Sequence, residues 1–296
     1  MFIKQLAIIG VGLIGGSLAR VLRQKKACGR IIGFGRNTTH LQAAVNIGVI
    51  DEYSLTVASA VRDADVVVLA TPLNTTETLL RAMRGYLSHD VIVTDVGSAK
   101  GSVVAAARLT LDDLFPRFVP GHPIAGNEKS GVEASDANLF ISHRVILTPL
   151  PETSVQALEK ITTMWELAGA EVVQLDVEKH DEILAATSHL PHMLAFALVD
   201  CLAGMQERDE FFRFAAGGFA DFSRIASSNP QMWHDICFAN RRQLLNVLDI
   251  FNEYLNDIKT AIKNENSNEL LEIFTRAKQA RDRFTQTRNK RNDAPE

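Results

Sequence analysis

The feature that most constrains the fold is a glycine-rich turn near the start of the chain, between an apolar strand-like run and a helix-like run. In the pattern G-x-G-x-x-G, the first glycine allows a tight turn and the second lets the backbone approach a pyrophosphate. The third glycine lets helix and strand pack closely, and phosphate charge faces the start of the helix. The sequence therefore predicts a dinucleotide-binding unit, the alternative being a glycine-rich turn without a ligand. The predicted cofactor contacts are Gly10, Gly12, Leu13, Ile14 and Gly15.

The segment after the second predicted strand, residues 30–34, bears on the choice of cofactor. An NAD site usually carries an acid about 20 residues past the glycines, where it binds the ribose 2′-hydroxyl. Here the residues are Gly35 and Arg36. A guanidinium can donate two bonds to a 2′-phosphate, so Arg36 favours NADP over NAD. The alternative is that Arg36 is a solvated loop residue and NAD binds without the acidic contact.

Strand-like and helix-like runs alternate through the first half of the chain, which predicts a doubly wound parallel sheet. We expect the runs 144–148 and 171–175 to extend that sheet. Thr71 and Ser98 follow two of the predicted strands, at the edge where open α/β sheets bind ligands, and Thr71 is a predicted cofactor contact. Ser98 can donate to a substrate or nicotinamide oxygen, cap the next helix, or do both.

A histidine motif follows the predicted strand 118–119 and reads Gly-His-Pro-Ile-Ala-Gly from residue 121. Pro120 and Pro123 lack the donor that strand pairing needs, so we expect His122 in a loop at the strand's carboxyl end. An imidazole that titrates near about 6.5 suits a general base. The alternative for a lone His-Pro pair is a structural role.

The second half of the chain has helical periodicity, which predicts a dinucleotide-binding domain over 1–176 and an all-helical domain over 177–284. In its first helix His189 and His192 share a face, and Pro191 should kink the helix. No third metal ligand is evident, so these histidines are expected to line a cleft or sit in the core.

Three further features of the helical half are interpreted from composition. Apolar residues on several faces of one long helix, 231–263, predict burial within the domain or against a second subunit. Gly217 and Arg224 lie in a segment, 214–226, that is predicted to be a glycine-broken link between apolar segments. Arg224 can clamp a carboxylate with two parallel bonds, although an ion pair with Asp221 is a nearly equal alternative. The polar tail 285–296 is predicted to be disordered.

Composition limits the class of partner. The 296-residue chain is 46% hydrophobic and 22% charged with a net charge of −4, which is typical of globular proteins and leaves no basic footprint for nucleic acid. Its 3 cysteines are far apart and indicate neither disulfides nor a zinc site. We find neither a signal peptide pattern nor a run of about 18 apolar residues. We therefore expect a cytoplasmic protein with a small-molecule substrate, no metal and no membrane partner.

Five motifs in register resemble prephenate and arogenate dehydrogenases of tyrosine biosynthesis, over residues 1 to about 284. They are the glycine turn, the run Asp-Val-Gly-Ser-Ala-Lys over 95–100, the histidine motif 121–131, His-Leu-Pro-His over 189–192, and the segment 217–224. The resemblance implies a Rossmann-type domain followed by a helical dimerisation domain, and hence a homodimer. The implied reaction is the oxidative decarboxylation of a cyclohexadienol: hydride passes to the nicotinamide, carbon dioxide leaves and the ring becomes aromatic.

The resemblance also implies roles for individual residues. His122 would accept the hydroxyl proton, Ser98 would orient that hydroxyl and His122, and Arg224 would bind a substrate carboxylate. Other residues in or around the pocket, some across a dimer interface, would be His189, His192, Glu128, Gly217 and Trp233. With no chorismate mutase segment or regulatory domain in the pattern, we expect a monofunctional enzyme.

The choice between the two substrates is left open, with a slight preference for arogenate. Its ammonium requires a nearby carboxylate or carbonyl, and the acids Asp221 and Glu128 lie in the pocket motifs.

Two other classes of protein remain as alternatives. A 3-hydroxyacid dehydrogenase with the same two-domain organisation would carry a catalytic lysine on the first helix of the second domain, where Lys179 sits only at the start. A redox sensor that binds NADP without turnover would not need His122, Ser98 and Arg224 together.

Overall fold

The computed structural model describes residues 2–126, 129–206 and 208–292, with the backbone alone at 208 and 288–292. Its strands are β1 (Ile3–Ile9), β2 (Cys28–Phe34), β3 (Glu52–Ser54), β4 (Val66–Leu69), β5 (Ile92–Asp95), β6 (Phe118–Val119), β7 (Gly121–Pro123), β8 (Arg144–Leu147) and β9 (Glu171–Gln174).

The helices fall into two groups. Those of the sheet region are α1 (Leu13–Gln24), α2 (Thr38–Asn46), α3 (Val57–Val61), α4 (Thr76–Met83), α5 (Gly101–Thr110) and α6 (Val155–Leu167). Those of the helical region are α7 (Val177–Leu184), α8 (Leu190–Ala203), α9 (Arg208–Phe214), α10 (Gly217–Ser223), α11 (Pro230–Ala239), α12 (Arg241–Lys263) and α13 (Ser267–Asn292).

The main sheet has six parallel strands in the order β3-β2-β1-β4-β5-β6, which confirms the predicted doubly wound sheet. Successive side chains of a strand point to opposite faces. Accordingly, Leu6 and Ile8 of β1 join the apolar cluster on the side of α1 and α6, whereas Ala7 and Ile9 join the cluster on the side of α3, α4 and α5. Both faces are covered, as a parallel sheet requires.

A second sheet contains β7, β8 and β9, with β7 antiparallel and β9 parallel to β8. The expectation that 144–148 and 171–175 extend the main sheet is therefore wrong, and so is the expectation that His122 lies in a loop. Pro120 ends the β6 ladder because it has no N–H, and its carbonyl accepts from the Thr148 N–H at 2.9 Å. The chain then pairs with β8, and Pro123 sits on an edge strand, where proline is tolerated.

The glycine turn has the conformation that the sequence pattern requires. Gly10 has φ +104°, and a Cβ there would lie 2.3 Å from the Ala70 carbonyl oxygen. At Gly15 a Cβ would lie 2.4 Å from the Gly10 carbonyl oxygen and 2.8 Å from Ile8 Cγ2. The first glycine is needed for its backbone angle and the third for the close contact of α1 with β1.

The helical region differs from the sequence-based prediction at three places. The single helix expected over 231–263 is broken at Asn240, which has φ −111° and ψ 30°. The helical run Val177–Ala203 passes through a π-helical turn, Ala185–His189, directly before α8, so the missing N–H of Pro191 falls where the pattern of backbone hydrogen bonds already changes. Gly217 begins a helix instead of lying in a link between helices.

The described end of the chain is helical as far as Asn292. Helix α13 includes residues 285–292, whereas residues 293–296 lie outside the described residues. The disorder predicted for 285–296 stays a prediction. The Thr285 and Thr287 hydroxyls each donate to the carbonyl four residues earlier at 3.0 Å. The segment contains neither glycine nor proline before residue 295, so nothing in it interrupts the helical backbone.

The chain divides into two compact units, one through Leu244 and one from Leu245 onward. The boundary at 176 and 177 between the two predicted domains stays a prediction. The continuous helical run Val177–Ala203 is long and apolar enough to cross a membrane by length and composition, although polar residues interrupt it and it is not an unbroken run of about 18 apolar residues. Core helices of soluble proteins pass the same test, and two polar side chains of this run, His180 and Asp181, are buried.

The close contact at Gly15 makes a prediction about stability. Replacing Gly15 with alanine should lower the free energy of unfolding by about 1–3 kcal/mol, because the new Cβ meets backbone that cannot move away cheaply. The matched control is Gly85→Ala, where no heavy atom lies within 4 Å of the new Cβ. Urea denaturation measures both variants, and equal losses of stability would contradict the packing argument.

Candidate active site

A cleft of about 610 Å³ opens beside the glycine turn, at the carboxyl edge of the main sheet. Its lining includes four of the predicted cofactor residues: Gly10, Gly12, Arg36 and Thr71. No heavy atom lies within 4 Å of the position of a Gly12 Cβ, so the second glycine leaves space for a close approach to the backbone. Leu13 and Ile14 form the first residues of α1, and Gly15 is buried beneath them. These residues fit a dinucleotide pyrophosphate.

The far end of the cleft bears on the ribose phosphate. Its lining includes Arg36, Asn37 and His40, and the described lining residues contain no aspartate or glutamate. The Asn37 side chain accepts from the His40 N–H at 3.2 Å and so caps α2. Donors and a helix start at one place suit an anionic group.

Asp95 and Lys100 form a buried ion pair between the end of β5 and the start of α5. The Lys100 ammonium is fully buried and donates to Asp95 Oδ2, and also to the Gly121 carbonyl oxygen at 2.7 Å. Asp95 accepts in addition from the Gly97 N–H at 2.7 Å and the Gly121 N–H at 3.2 Å. Burial lowers the pKa of Lys100, while Asp95 acts in the opposite direction. The pair holds the segment that carries Ser98 against the strand that carries His122.

His122 is the first member of a chain of three buried side chains. Its Nδ1 lies 2.9 Å from Nε2 of His180, and His180 Nδ1 lies 2.8 Å from Oδ1 of Asp181. The Asp181 carboxylate also accepts the N–H groups of Lys100 and Gly101, each at 2.8 Å. A side chain on α7 therefore binds the N-terminus of α5 and orients the histidines at the same time.

The partners in this chain determine which nitrogen of each ring carries the proton. The His180 ring and the two N–H groups lower the pKa of Asp181 against the effect of burial, so this carboxylate is ionised and only accepts. His180 must then donate from Nδ1, which leaves the lone pair of a neutral ring at Nε2. His122 in turn donates from Nδ1, and its own lone pair lies at Nε2. That is the tautomer a general base at Nε2 requires.

The pKa of His122 departs from the ordinary histidine value on which the sequence-based expectation was built. Burial lowers it well below 6.5, and His180, Lys100 and His189 lower it further. Burial is also the main cause of the lowered pKa of His180. His122 is thus neutral over a wider acidic range than an exposed histidine.

Both predicted pocket histidines contact Trp233. The His192 ring stacks on Trp233 with centroids 3.7 Å apart, and His189 packs edge-on against it at 6.0 Å. His192 Nδ1 lies 2.9 Å from the Ser188 carbonyl oxygen, and His189 Nδ1 lies 3.2 Å from Asn240 Nδ2. Helix α11, which carries Trp233, packs on the turn Leu73–Thr75 that follows Thr71. The structure therefore brings these three residues to the same edge as the cleft.

The remaining predicted residues are placed as follows. Ser98 is half-buried and does not cap α5, because the N-cap is Lys100 and the Asp181 carboxylate binds the first N–H groups. Arg224 begins a 3-10 helix packed on α8, and Gly217 begins α10 at an exposed position. Glu128 lies outside the described residues. No group of histidine, cysteine, aspartate or glutamate side chains suited to a metal ion occurs in the described ranges.

The sequence-based interpretation missed His180, Asp181 and Asn240. Neighbouring residues on a helix point in different directions, so the His-Asp pair at 180 and 181 gives no sign of a shared site. Asn240 stands inside a long helical pattern and offers no signal of its own. The sequence pattern over 95–100 also did not indicate a role for Lys100, which the structure shows to be buried.

Two family models match the chain. One, described as prephenate dehydrogenase, nucleotide-binding domain, matches residues 18–174. The other, described as prephenate dehydrogenase, dimerization domain, matches residues 176–276.

Individual proteins match over nearly the whole chain. A cyclohexadienyl dehydrogenase of Zymomonas mobilis is 38% identical over 94% of this chain and 95% of its own length. A prephenate dehydrogenase of Bacillus subtilis is 37% identical over 93% of this chain and 74% of its own length. The structure of a prephenate dehydrogenase from A. aeolicus, in complex with hydroxyphenyl propionate and NAD+, is similar with a TM-score of 0.89 and 38% identity over 95% of this chain and 98% of that one. Synechocystis arogenate dehydrogenase is similar with a TM-score of 0.80 and 29% identity over 95% of this chain and 100% of that one.

Proposed function

The chain belongs to the prephenate dehydrogenase family, and we propose that it oxidises and decarboxylates prephenate, arogenate or both in tyrosine biosynthesis. The products would be 4-hydroxyphenylpyruvate from prephenate and tyrosine from arogenate. The observation that carries this proposal is the chain from His122 through His180 to Asp181, which leaves a lone pair at His122 Nε2. The dinucleotide cleft lies at the carboxyl edge of the same domain.

The residues divide the reaction between them. The nicotinamide cofactor, when bound, accepts a hydride, and the glycine turn with Arg36 and Thr71 would hold it. His122 Nε2 would take the proton of the ring hydroxyl as the carbon that bears this hydroxyl loses hydride. The imidazolium formed is stabilised through His180 by the Asp181 carboxylate, in the way that a carboxylate supports the histidine of a catalytic triad. Loss of carbon dioxide follows because the ring becomes aromatic.

Ser98 and Arg224 would position the substrate. Ser98 does not cap α5, so its hydroxyl is available to orient the substrate hydroxyl towards His122. Arg224 would bind a substrate carboxylate with its planar donor pair.

The hydroxyacid dehydrogenase alternative has less support. Lys179 is exposed and donates to both carboxylate oxygens of Glu182 at 3.0 Å.

We propose that NADP is preferred over NAD. Support comes from Arg36 and His40 in the cleft lining and from the lack of an acidic residue among its described members. A guanidinium matches a 2′-phosphate, whereas an acid would repel it.

We also propose that arogenate is preferred over prephenate, with Asp221 three residues before Arg224 as a partner for its ammonium. Values of kcat/KM for both substrates decide this, and an equal or higher value with prephenate would overturn it. Cytoplasmic localisation is a further proposal, which cell fractionation tests.

A homodimer through the helical region is the proposed assembly. Apolar side chains on α12 and α13 are between 52% and 64% exposed in the single chain: Leu245, Ile250, Tyr254, Leu255, Ile262, Leu271, Phe274 and Phe284. An apolar surface of this extent is unusual on a monomer.

His122→Asn should lower kcat about 10²–10⁴-fold with little change in KM or cofactor binding, because the proton contact strengthens in the transition state. In the wild type, kcat/KM should fall only below an apparent pKa that lies under 6.5, since burial disfavours the protonated ring. That acidic limb should disappear in the variant. Initial rates of reduced-cofactor formation with prephenate and arogenate measure all of this.

Two comparisons make the test specific. His89→Asn changes an exposed histidine outside the candidate active site and should leave the rates unchanged. Arg224→Ala should chiefly raise KM, because it removes binding that substrate and transition state share. A wild type inactive on both substrates would refute the proposed function, and an active His122→Asn with the same acidic limb would refute the role of the base.

Arg36→Ala tests the cofactor proposal. Loss of a charge-assisted bond of about 1.5–3 kcal/mol should reduce the preference for NADP over NAD by about 10- to 100-fold. The readout is the ratio of kcat/KM for the two cofactors. The control is Arg30→Ala, at an arginine within β2 that pairs with Glu52. An unchanged ratio in Arg36→Ala would show that the guanidinium plays no part in the choice.

Sedimentation tests the assembly. Micromolar protein should sediment as a dimer, and Leu271→Glu together with Phe274→Glu should shift it towards one chain mass, because buried charge opposes the interface. A wild-type protein that sediments only at the mass of one chain would contradict the proposal.

A further inference from the structure

Asn240 lies at the break between α11 and α12, and its side chain is buried. The amide nitrogen Nδ2 is 2.8 Å from the Asp181 carbonyl oxygen and 3.2 Å from His189 Nδ1. One amide group thus connects the segment that orients His122 to a second histidine, His189.

The orientation of this amide follows from its partners. A backbone carbonyl only accepts, so the NH₂ end of Asn240, and not its oxygen, must face Asp181. The second hydrogen of the same NH₂ group then points at His189 Nδ1, which must accept it. A neutral His189 therefore carries its proton on Nε2.

The charge state of His189 agrees with this assignment. Burial lowers its pKa to about 4, with His180 and His192 acting in the same direction and Asp181 and the Ser98 carbonyl opposing them. The ring is neutral at physiological pH, so its tautomer decides whether Nε2 donates or accepts.

His189 Nε2 is buried and has no hydrogen-bond partner among the described residues. A buried N–H without a partner is costly and calls for an explanation. The π-helical turn Ala185–His189 that presents the ring is a rare conformation often found at functional sites. The Ser98 carbonyl lies beside the ring and raises its pKa as an acceptor does, which agrees with a proton on Nε2. It does not reach the geometry of a hydrogen bond, so the N–H at the Ser98 end of the histidine cluster is left without a full partner.

We propose that Asn240 is a positioning residue that holds His189 as the Nε2–H tautomer, so that this N–H donates to an acceptor oxygen of the bound reactants. The acceptor is a carbonyl or carboxylate oxygen, on either the cyclohexadienyl substrate or the nicotinamide carboxamide. The proposal rests on the proposed dehydrogenase function for the identity of the reactants, but the tautomer itself does not depend on it. His122 and His189 then have opposite tasks: the first accepts a proton at Nε2 and the second donates a hydrogen bond from Nε2.

Nitrogen-15 NMR of histidine-labelled wild-type protein at pH 7 tests the tautomer directly, with His189→Phe used to assign the signals. The expected spectrum shows His189 neutral, with the proton on Nε2 and an unprotonated Nδ1. A proton on Nδ1, or a charged ring, would overturn the proposal. This result stands whether or not the protein turns over either substrate.

Kinetic measurements test whether activity requires the Nε2–H tautomer of His189. In Asn240→Asp an oxygen faces Nδ1, so the ring should either move its proton to Nδ1 or become charged, and kcat/KM should fall about 10- to 100-fold. Asn46→Ala, at an exposed asparagine on α2, is the matched control and should behave as the wild type.

His189→Phe removes the N–H while keeping a ring against Trp233, and it identifies the acceptor. A raised KM for the substrate assigns the bond to the substrate, and a raised cofactor dissociation constant assigns it to the nicotinamide. If neither changes, the donor role is wrong. Should Asn240→Asp fail to fold, the wild-type spectrum and His189→Phe still decide the proposal.

Discussion

The buried ion pair between Asp95 and Lys100 is the contact on which the geometry of the candidate active site depends. Its hydrogen bonds reach the peptide groups of Gly97 and Gly121, one on each side of the gap between β5 and β7. Strand β5 pairs with β6 only as far as Thr94 and Val119, and β7 belongs to the second sheet, so no ladder of backbone bonds joins β5 to β7. Removing one partner would leave the other charge buried and alone, a loss of about 3–5 kcal/mol in comparable pairs. The ion pair therefore fixes the segments that carry Ser98 and His122 relative to each other, as backbone hydrogen bonds fix neighbouring strands elsewhere in the sheet.

Asp181 joins the helical region to this arrangement. Its carboxylate binds the two N–H groups that begin α5, where the helix dipole also favours negative charge. The same carboxylate orients His180, and through it His122. A carboxylate that must stay ionised to hold a helix end is also a fixed acceptor for a histidine. The folding of α7 onto the sheet and the direction of the proton at His122 thus depend on one group.

Burial makes the tautomers of the histidines matter. Burial lowers the pKa values of His122, His180, His189 and His192 alike, so these rings are neutral near physiological pH. A neutral ring donates at one nitrogen and accepts at the other, and the assignment is set by the neighbour of each ring. Asp181 sets it for the pair that leads to His122, and Asn240 sets it for His189. Chemically identical side chains can therefore serve as base and donor within one site.

The sequence alone determined the parallel sheet, the glycine turn, the strand that leads to His122 and the family, because each depends on local patterns of period, backbone freedom and residue type. It did not determine that β7, β8 and β9 leave the main sheet, because strand pairing is a choice among distant partners and Pro120 removes only one donor. Nor did it reveal the roles of Asp181 and Asn240, which are 59 positions apart and meet in one hydrogen bond. The sequence also did not predict the lowered pKa of His122. A histidine in a sequence is assigned its ordinary pKa, and it is burial beside His180 and Lys100 that lowers it. Local patterns can be identified from the order of residues, whereas hydrogen-bond partners and burial are determined only when distant segments pack together.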